Sequence, residues 1–177
     1  MDNFKNKTHQ QPSDAEERAK QHLISVGLYG RSVSIISNTF RLTSIIRSFA
    51  ENQVLKEFNL SFSGFTVMWV IWVWRDIETA KLAKNAGIAK STLTGILITL
   101  EKHGYCKRMA HPSDARRVIV HISKAGEELM EKVFPKFRKI EDMAVSDLTS
   151  DEFETTIDSL RTMLHTMEKF SKKNKSK

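Results

Sequence analysis

The chain has 177 residues with 40% hydrophobic content, a formal net charge of +7 and a single cysteine, Cys106. That length suits one compact domain or two small ones with enough apolar side chains to fill a core, and the lone cysteine excludes an internal disulfide or a cysteine-built zinc cluster. The longest apolar run, Phe65 to Trp74, is ten residues, about half of what a membrane-spanning helix requires; with no apolar signal core in the polar first thirty residues, a cytoplasmic location is expected.

Taken in chain order, residues 1–15 read as a disordered tail. From there to residue 60, Val33, Ile36, Phe40, Ile45, Phe49, Val54, Leu55 and Phe58 recur near the helical period. Gly27 and Gly30 predict a break between a short leading helix and a long one. NLSFSGFTVMWVIWVW predicts a turn and a helix that Ser61 or Ser63 caps, apolar all round and hence buried on most sides. RDIETAKLAKNAGIAKSTLTGILITLEKHG predicts two short helices joined at Gly87. Leu82 and Ala83 face inward from the first; Leu93, Leu97 and Leu100, with Ile96 alongside, form the stripe of the second, which ends at Gly104. YCKRMA and RVIVHIS then alternate as strands around HPSDAR, whose Pro112, Ser113 and Asp114 are turn formers.

Ser123 is placed to cap the next helix, with Leu129, Val133, Phe137 and Ile140 on its apolar side, and Pro135 predicts a kink or break near Lys132. Thr149 or Ser150 caps a last helix with a narrow seam of Phe153, Ile157, Leu160, Leu164 and Met167. The lysine-rich residues 171–177 read as a basic tail. The expected fold is mainly α with a small β-hairpin wing: a winged helix-turn-helix lobe over 61–122, and a helical region over 16–60 and 123–170, for which the family resemblance given below implies dimerisation.

Charge is concentrated in that lobe. Lys81 to Lys124 holds nine basic residues against two acidic ones, a net of +7, so the remainder of the chain is balanced. A local positive field over a helix-turn-helix and hairpin points to a polyanion, and to double-stranded DNA before others. The second helix fits a major groove, and the hairpin reaches the flanking backbone or minor groove. With its leucines inward, that helix presents Lys90, Ser91, Thr92, Thr94, Gly95 and Thr99. The hydroxyls suit bases or phosphates, and Lys90 suits a phosphate. At the hairpin, Arg116 is the candidate for minor-groove insertion, Asp114 its orienting partner, and Arg117 a further contact.

The stretch AKLAKNAGIAKSTLTGILITLEKHGYCKRMAHPSDARRVIVHISKAGEEL resembles the DNA-binding core of the MarR (multiple antibiotic resistance regulator) family, on STLTGILITLEKHGY, the wing's DARR and the HISKAGEEL restart. The resemblance implies a homodimer with intertwined terminal helices that sets recognition helices in successive major grooves of a pseudo-palindromic operator, half-sites roughly 10 base pairs apart. It also implies an effector pocket, often for aromatic carboxylates or phenols; Phe40, Arg41, Arg47, Phe65, Met68, Trp69, Trp72 and Trp74 are the candidate linings, the arginines suited to a carboxylate. The chain departs from the family pattern at Ala89, where a capping serine or threonine is usual, and at Gly95 and Thr99, where arginine or other polar residues are common.

These features together predict a repressor released by a small aromatic or phenolic effector. No cofactor, metal site or enzymatic activity is expected. The chain has no glycine-rich phosphate loop or nucleophile elbow, and its six histidines are scattered. The alternative is a helical dimer whose basic winged helix docks a protein or binds DNA without sequence preference.

Overall fold

The computed structural model describes residues 11–175, which divide into two compact units at Ser48/Phe49. In the first unit, α1 (Asp14–Ser25) is capped by Ser13, whose hydroxyl accepts from the Glu16 N–H at 3.3 Å. Acidic residues fill its first turn, where the helix dipole favours them. Helix α2 (Ser32–Gln53) begins here and runs past the division. The Arg41 guanidinium donates to the Ser13 hydroxyl at 2.6 Å. The expected break between the two helices is present, with Gly27 at φ +71°. The expected tail over 1–15 falls largely outside the described residues, and α1 begins at Asp14, inside it.

The second unit holds the core. After a 3₁₀ turn (Leu55–Phe58), α3 (Phe62–Trp74) is capped by Ser61, which accepts from the Gly64 N–H at 3.0 Å. Val67, Met68, Val70 and Ile71 of α3 are buried among Leu82 and Ala83 of α4 (Thr79–Asn85), Leu93, Leu97 and Leu100 of α5 (Lys90–Lys102), and Met130 and Val133 of α6 (Lys124–Val145). Gly87 at φ +64° makes the α4–α5 turn, and Gly104 at φ +76° stops α5. Both are backbone states a side chain resists.

Three antiparallel strands complete the unit in the order β1 (Asp76–Glu78), β3 (Asp114–Ile122), β2 (Cys106–His111). The hairpin was expected; β1 was not. Arg75–Glu78 reads as the start of a helix, but Arg75 stands at φ +62°, ψ −59° and turns the chain out of α3 into extended pairing with β3, Ile77 opposite Val120. Pairing also reaches further into the turn than expected: His111 faces Asp114, leaving Pro112 and Ser113 as the loop.

Helix α6 runs through Pro135 without the break that was one of the two expected outcomes. Proline removes one ladder hydrogen bond, and the buried side chains on either side, Val133 and Phe137, hold the helix to the core. Helix α7 (Ser150–Lys175) opens with a reciprocal cap in which the Thr149 N–H donates to Glu152 at 2.8 Å and the Glu152 N–H to Thr149 Oγ1 at 3.4 Å. It continues to Lys175, into the segment expected as a tail.

The tightest place in the unit is where α6 starts. The Ser123 hydroxyl donates to the Gly104 carbonyl at 2.5 Å and accepts from the Gly126 N–H at 3.0 Å, while the Ser123 N–H donates to the Tyr105 carbonyl at 3.0 Å. A Cβ at Gly126 would lie 2.1 Å from that Tyr105 oxygen and 3.1 Å from Met68 Cε, whereas one at Gly95 would meet nothing within 4 Å. Gly126→Ala is therefore expected to lower stability in urea unfolding by about 2 kcal/mol or more, as overpacking against fixed backbone does. Gly95→Ala is expected to raise it by about 0.5–1 kcal/mol through helix propensity.

Candidate nucleic-acid interface

Helix α5 presents the face its leucine spacing requires. Leu93, Leu97 and Leu100 are buried, and Lys90, Ser91, Thr92, Thr94, Gly95 and Thr99 are all exposed. The Thr94 and Thr99 hydroxyls donate back to the Lys90 and Gly95 carbonyls at 3.1 and 3.2 Å, which orients their lone pairs outward as acceptors. Ala89 occupies the N-cap with no side-chain hydrogen bond, the departure noted in the sequence.

The hairpin carries a pre-set arginine. Asp114 Oδ1 accepts from the Arg116 backbone N–H at 3.0 Å and from its Nε at 3.3 Å, and the Arg116 side chain is 93% exposed. A carboxylate bound to the main chain thus steers a guanidinium that reaches into solvent. On the other side of the loop, His111 Nδ1 lies 3.2 Å from the Ser113 N–H and 3.0 Å from its hydroxyl, closing the turn.

Arg117 behaves differently: its guanidinium grips Glu78 in a two-pronged pair with one contact at 3.0 Å, tying β3 to β1 at the start of α4. This hydrogen bonding holds the Glu78 carboxyl below its ordinary range and the Arg117 guanidinium above its own. Arg108 is likewise committed. Its Nε and Nη2 donate to Glu101 Oε2 at 2.9 and 2.6 Å and its backbone N–H to Oε1 at 2.9 Å, joining β2 to the end of α5. The bond to Arg108 lowers the Glu101 pKa.

Part of the positive excess is therefore spoken for within the fold. Glu78 sits just outside the basic stretch in sequence but pairs into it; Asp76, also outside it, lies 2.6 Å from His121, which is not one of the nine basic residues. Lys81 lies 3.5 Å above the Trp74 ring. Lys84 pairs with Glu168 at 3.7 Å; Lys90, Lys102, Lys107 and Lys124 make no ion pair among the described residues, and Arg116, though paired with Asp114, keeps its side chain 93% exposed. Sequence reasoning missed the bracing pairs, because Glu101–Arg108 and Glu78–Arg117 join residues whose proximity depends on the sheet.

The candidate effector residues belong to both units. Phe40, Arg41 and Arg47 lie exposed on α2 in the first unit. In the second unit Phe65 and Met68 are buried, Trp69 is 41% exposed, and Trp72 packs on Phe134 at 5.5 Å between ring centres. Phe62, Phe134 and Glu141, not singled out from the sequence, share a cavity with Phe65 and Trp69. The spacing of Phe134, Phe137 and Glu141 along one face of α6 is the signal that could have found them.

Cys106 is buried at the start of β2, and burial pushes its thiol up to about 12. No group of three or more His, Cys, Asp or Glu side chains among the described residues is placed to hold a metal. Since the thiolate is the reactive form, Cys106 in the native chain is expected to resist an aromatic disulfide reagent at pH 8 over a period in which the same reagent titrates one thiol per chain in denaturant; rapid native reaction would refute the burial.

A profile of the MarR family matches residues 60–118. The chain is 33% identical to the HTH-type transcriptional regulator YwaE of Bacillus subtilis over 138 residues, covering 76% of this chain and 81% of that one. Among solved structures, a mutant Escherichia coli MarR complexed with operator DNA superposes with a TM-score of 0.67 at 21% identity, over 77% of this chain and 99% of that one. Bordetella bronchiseptica BpsR, whose DNA binding is regulated by 6-hydroxynicotinic acid, superposes at 0.66 with 19% identity, over 73% and 98%. With the three-stranded wing and the α4–α5 pair in place, the chain belongs to the MarR family of HTH-type transcriptional regulators.

Proposed function

We propose that the protein is a homodimeric repressor that binds a pseudo-palindromic operator and is released by a small aromatic effector. The observation that carries the DNA reading is that one lobe presents both the exposed hydroxyl face of α5 and the Asp114-steered, solvent-reaching Arg116. The first reads base edges, and the second anchors to the flanking groove or backbone. In this reading Lys90 contacts a phosphate, and Arg117, held by Glu78, sets the wing's attitude and contributes charge. The fold shared with an operator-bound regulator supports the same arrangement, and the ligand-regulated BpsR supports a small-molecule effector.

Dimerisation is supported by apolar surface that a single chain leaves in water. No described residue of α7 is buried; Leu164 and Met167 are 66% exposed and Phe170 59%. On α2, Phe40 is 71% and Ile45 62% exposed. Exposed large apolar side chains recurring along helices of this length mark an association surface.

Selection from random duplexes is expected to return a two-fold motif with half-sites roughly 10 base pairs apart. On that operator, Arg116→Ala should weaken binding by about 1–3 kcal/mol across all sequences and lower the salt slope by about 1. Thr94→Ala should instead change which base is preferred. Recovery of no motif, with a shallow salt slope, would favour a protein-docking module. Truncation after Asp147, which removes α7, is expected to convert a dimer to a monomer in sedimentation; a truncated chain that remained a tight dimer would refute the role of that helix.

A further inference from the structure

Between α3 and α6 lies a cavity of about 200 Å³. Its walls are aromatic: Phe62, Phe65, Trp69, Phe134 and Phe137 line it, with Phe65 and Phe137 packed ring on ring at 4.2 Å. Its single charged lining group is Glu141. The hydroxyl of Thr66, also in the lining, is used within the helix, donating to the Phe62 carbonyl at 2.9 Å.

The charges around Glu141 decide what this cavity accepts. Lys136, on the same helix, is held by Glu57 through contacts of 2.6 and 2.7 Å and leans over Phe58. Arg138 lies 3.8 Å from Asp142. Among the described residues Glu141 has no hydrogen bond or ion pair, and no lining side chain is positive. Glu141 has solvent on one side and rings on the other; the loss of water on the ring side, with Asp142 adding to it and the Arg138 charge opposing it, raises its carboxyl pKa. An anionic ligand would meet the Glu141 carboxylate and find no positive side chain in the lining. A cation would find the electron-rich faces of the rings and the one carboxylate of the lining.

We propose that this cavity binds a small aromatic cation, a ring carrying a protonated amine or quaternary ammonium, with the aromatic walls taking its body and Glu141 its charge. The volume is below the range of about 300–1,000 Å³ common for drug-sized ligands, so a single-ring compound fits better than a fused polycycle. The proposal rests on the reading that a small effector controls operator affinity, and it sets the charge of that effector.

Calorimetric titration of the full chain with benzyltrimethylammonium and, separately, phenylacetate tests the assignment without reference to DNA. The cation is expected to bind at least about tenfold more tightly than the anion, and Glu141→Gln to weaken the cation about tenfold with no change in thermal unfolding. Equal binding of the two probes, or an unchanged affinity in Glu141→Gln, would overturn the charge assignment. No heat from either probe would overturn the site; if Trp69→Ala then altered the oligomeric state, the face would belong to a second copy of the chain. A parallel operator titration separates the two readings: cation binding that leaves operator affinity unchanged would refute effector control while leaving the ligand site standing.

Discussion

The approach of α6 to the Tyr105 carbonyl leaves room for a hydrogen atom and nothing larger at position 126. Through that corner the end of α5, the start of β2 and the first turn of α6 are fixed to one another, with the Ser123 hydroxyl bridging the Gly104 carbonyl and the Gly126 N–H. Main-chain groups rather than long side chains make the joint, so it has little rotamer freedom to give up. The hairpin register follows: Cys106 opposite Ile122 at the corner sets Arg108 opposite Val120 and runs to Ala110 opposite Val118, beyond which a register shift brings His111 opposite Asp114. The tip takes its geometry from that shift and from the Asp114 contacts to Arg116, on a hairpin base that the corner fixes.

Two acidic bridges then hold the positive lobe in shape. Glu101 binds Arg108 and Glu78 binds Arg117, each linking a wing strand to another element. Both are partly exposed, and exposed pairs contribute little to stability, roughly 0–1 kcal/mol. Their effect is geometric: they assign two arginines to the scaffold and leave Arg116 and the lysines to face outward. Net charge alone would have assigned all of them to a partner.

Much of this was legible in the residues. The leucine spacing of α5, the caps at Ser61, Thr149 and Ser123, and the glycines at 87 and 104 each express a local rule that the fold obeys. What was hidden depended on contacts between distant segments. Strand β1 is three residues with one buried side chain, Ile77, too short for any periodicity to register, and it exists because β3 offers an open edge. Pro135 carried a strong local signal that packing of Val133 and Phe137 overrode. The importance of Gly126 was invisible for a similar reason: its first-turn position tolerates many residues, and only the nearby Tyr105 oxygen forbids them. For the site, hydroxyl and lysine positions on one helix could be read in advance, whereas the pairing of Arg117 required a strand no pattern announced.

Arg75 sets its own backbone against its side chain. It leaves α3 at φ +62°, ψ −59°, a state that costs a non-glycine residue about 1–3 kcal/mol, while its guanidinium pairs with Glu127 on α6. With more than half of that side chain in solvent, the pair returns less than the strain consumes. Drift at this position is then asymmetric: replacement by glycine forfeits an ion pair but releases the main chain, whereas replacement by a β-branched residue keeps the strain and loses the pair. Selection acting on stability alone would move the site toward glycine.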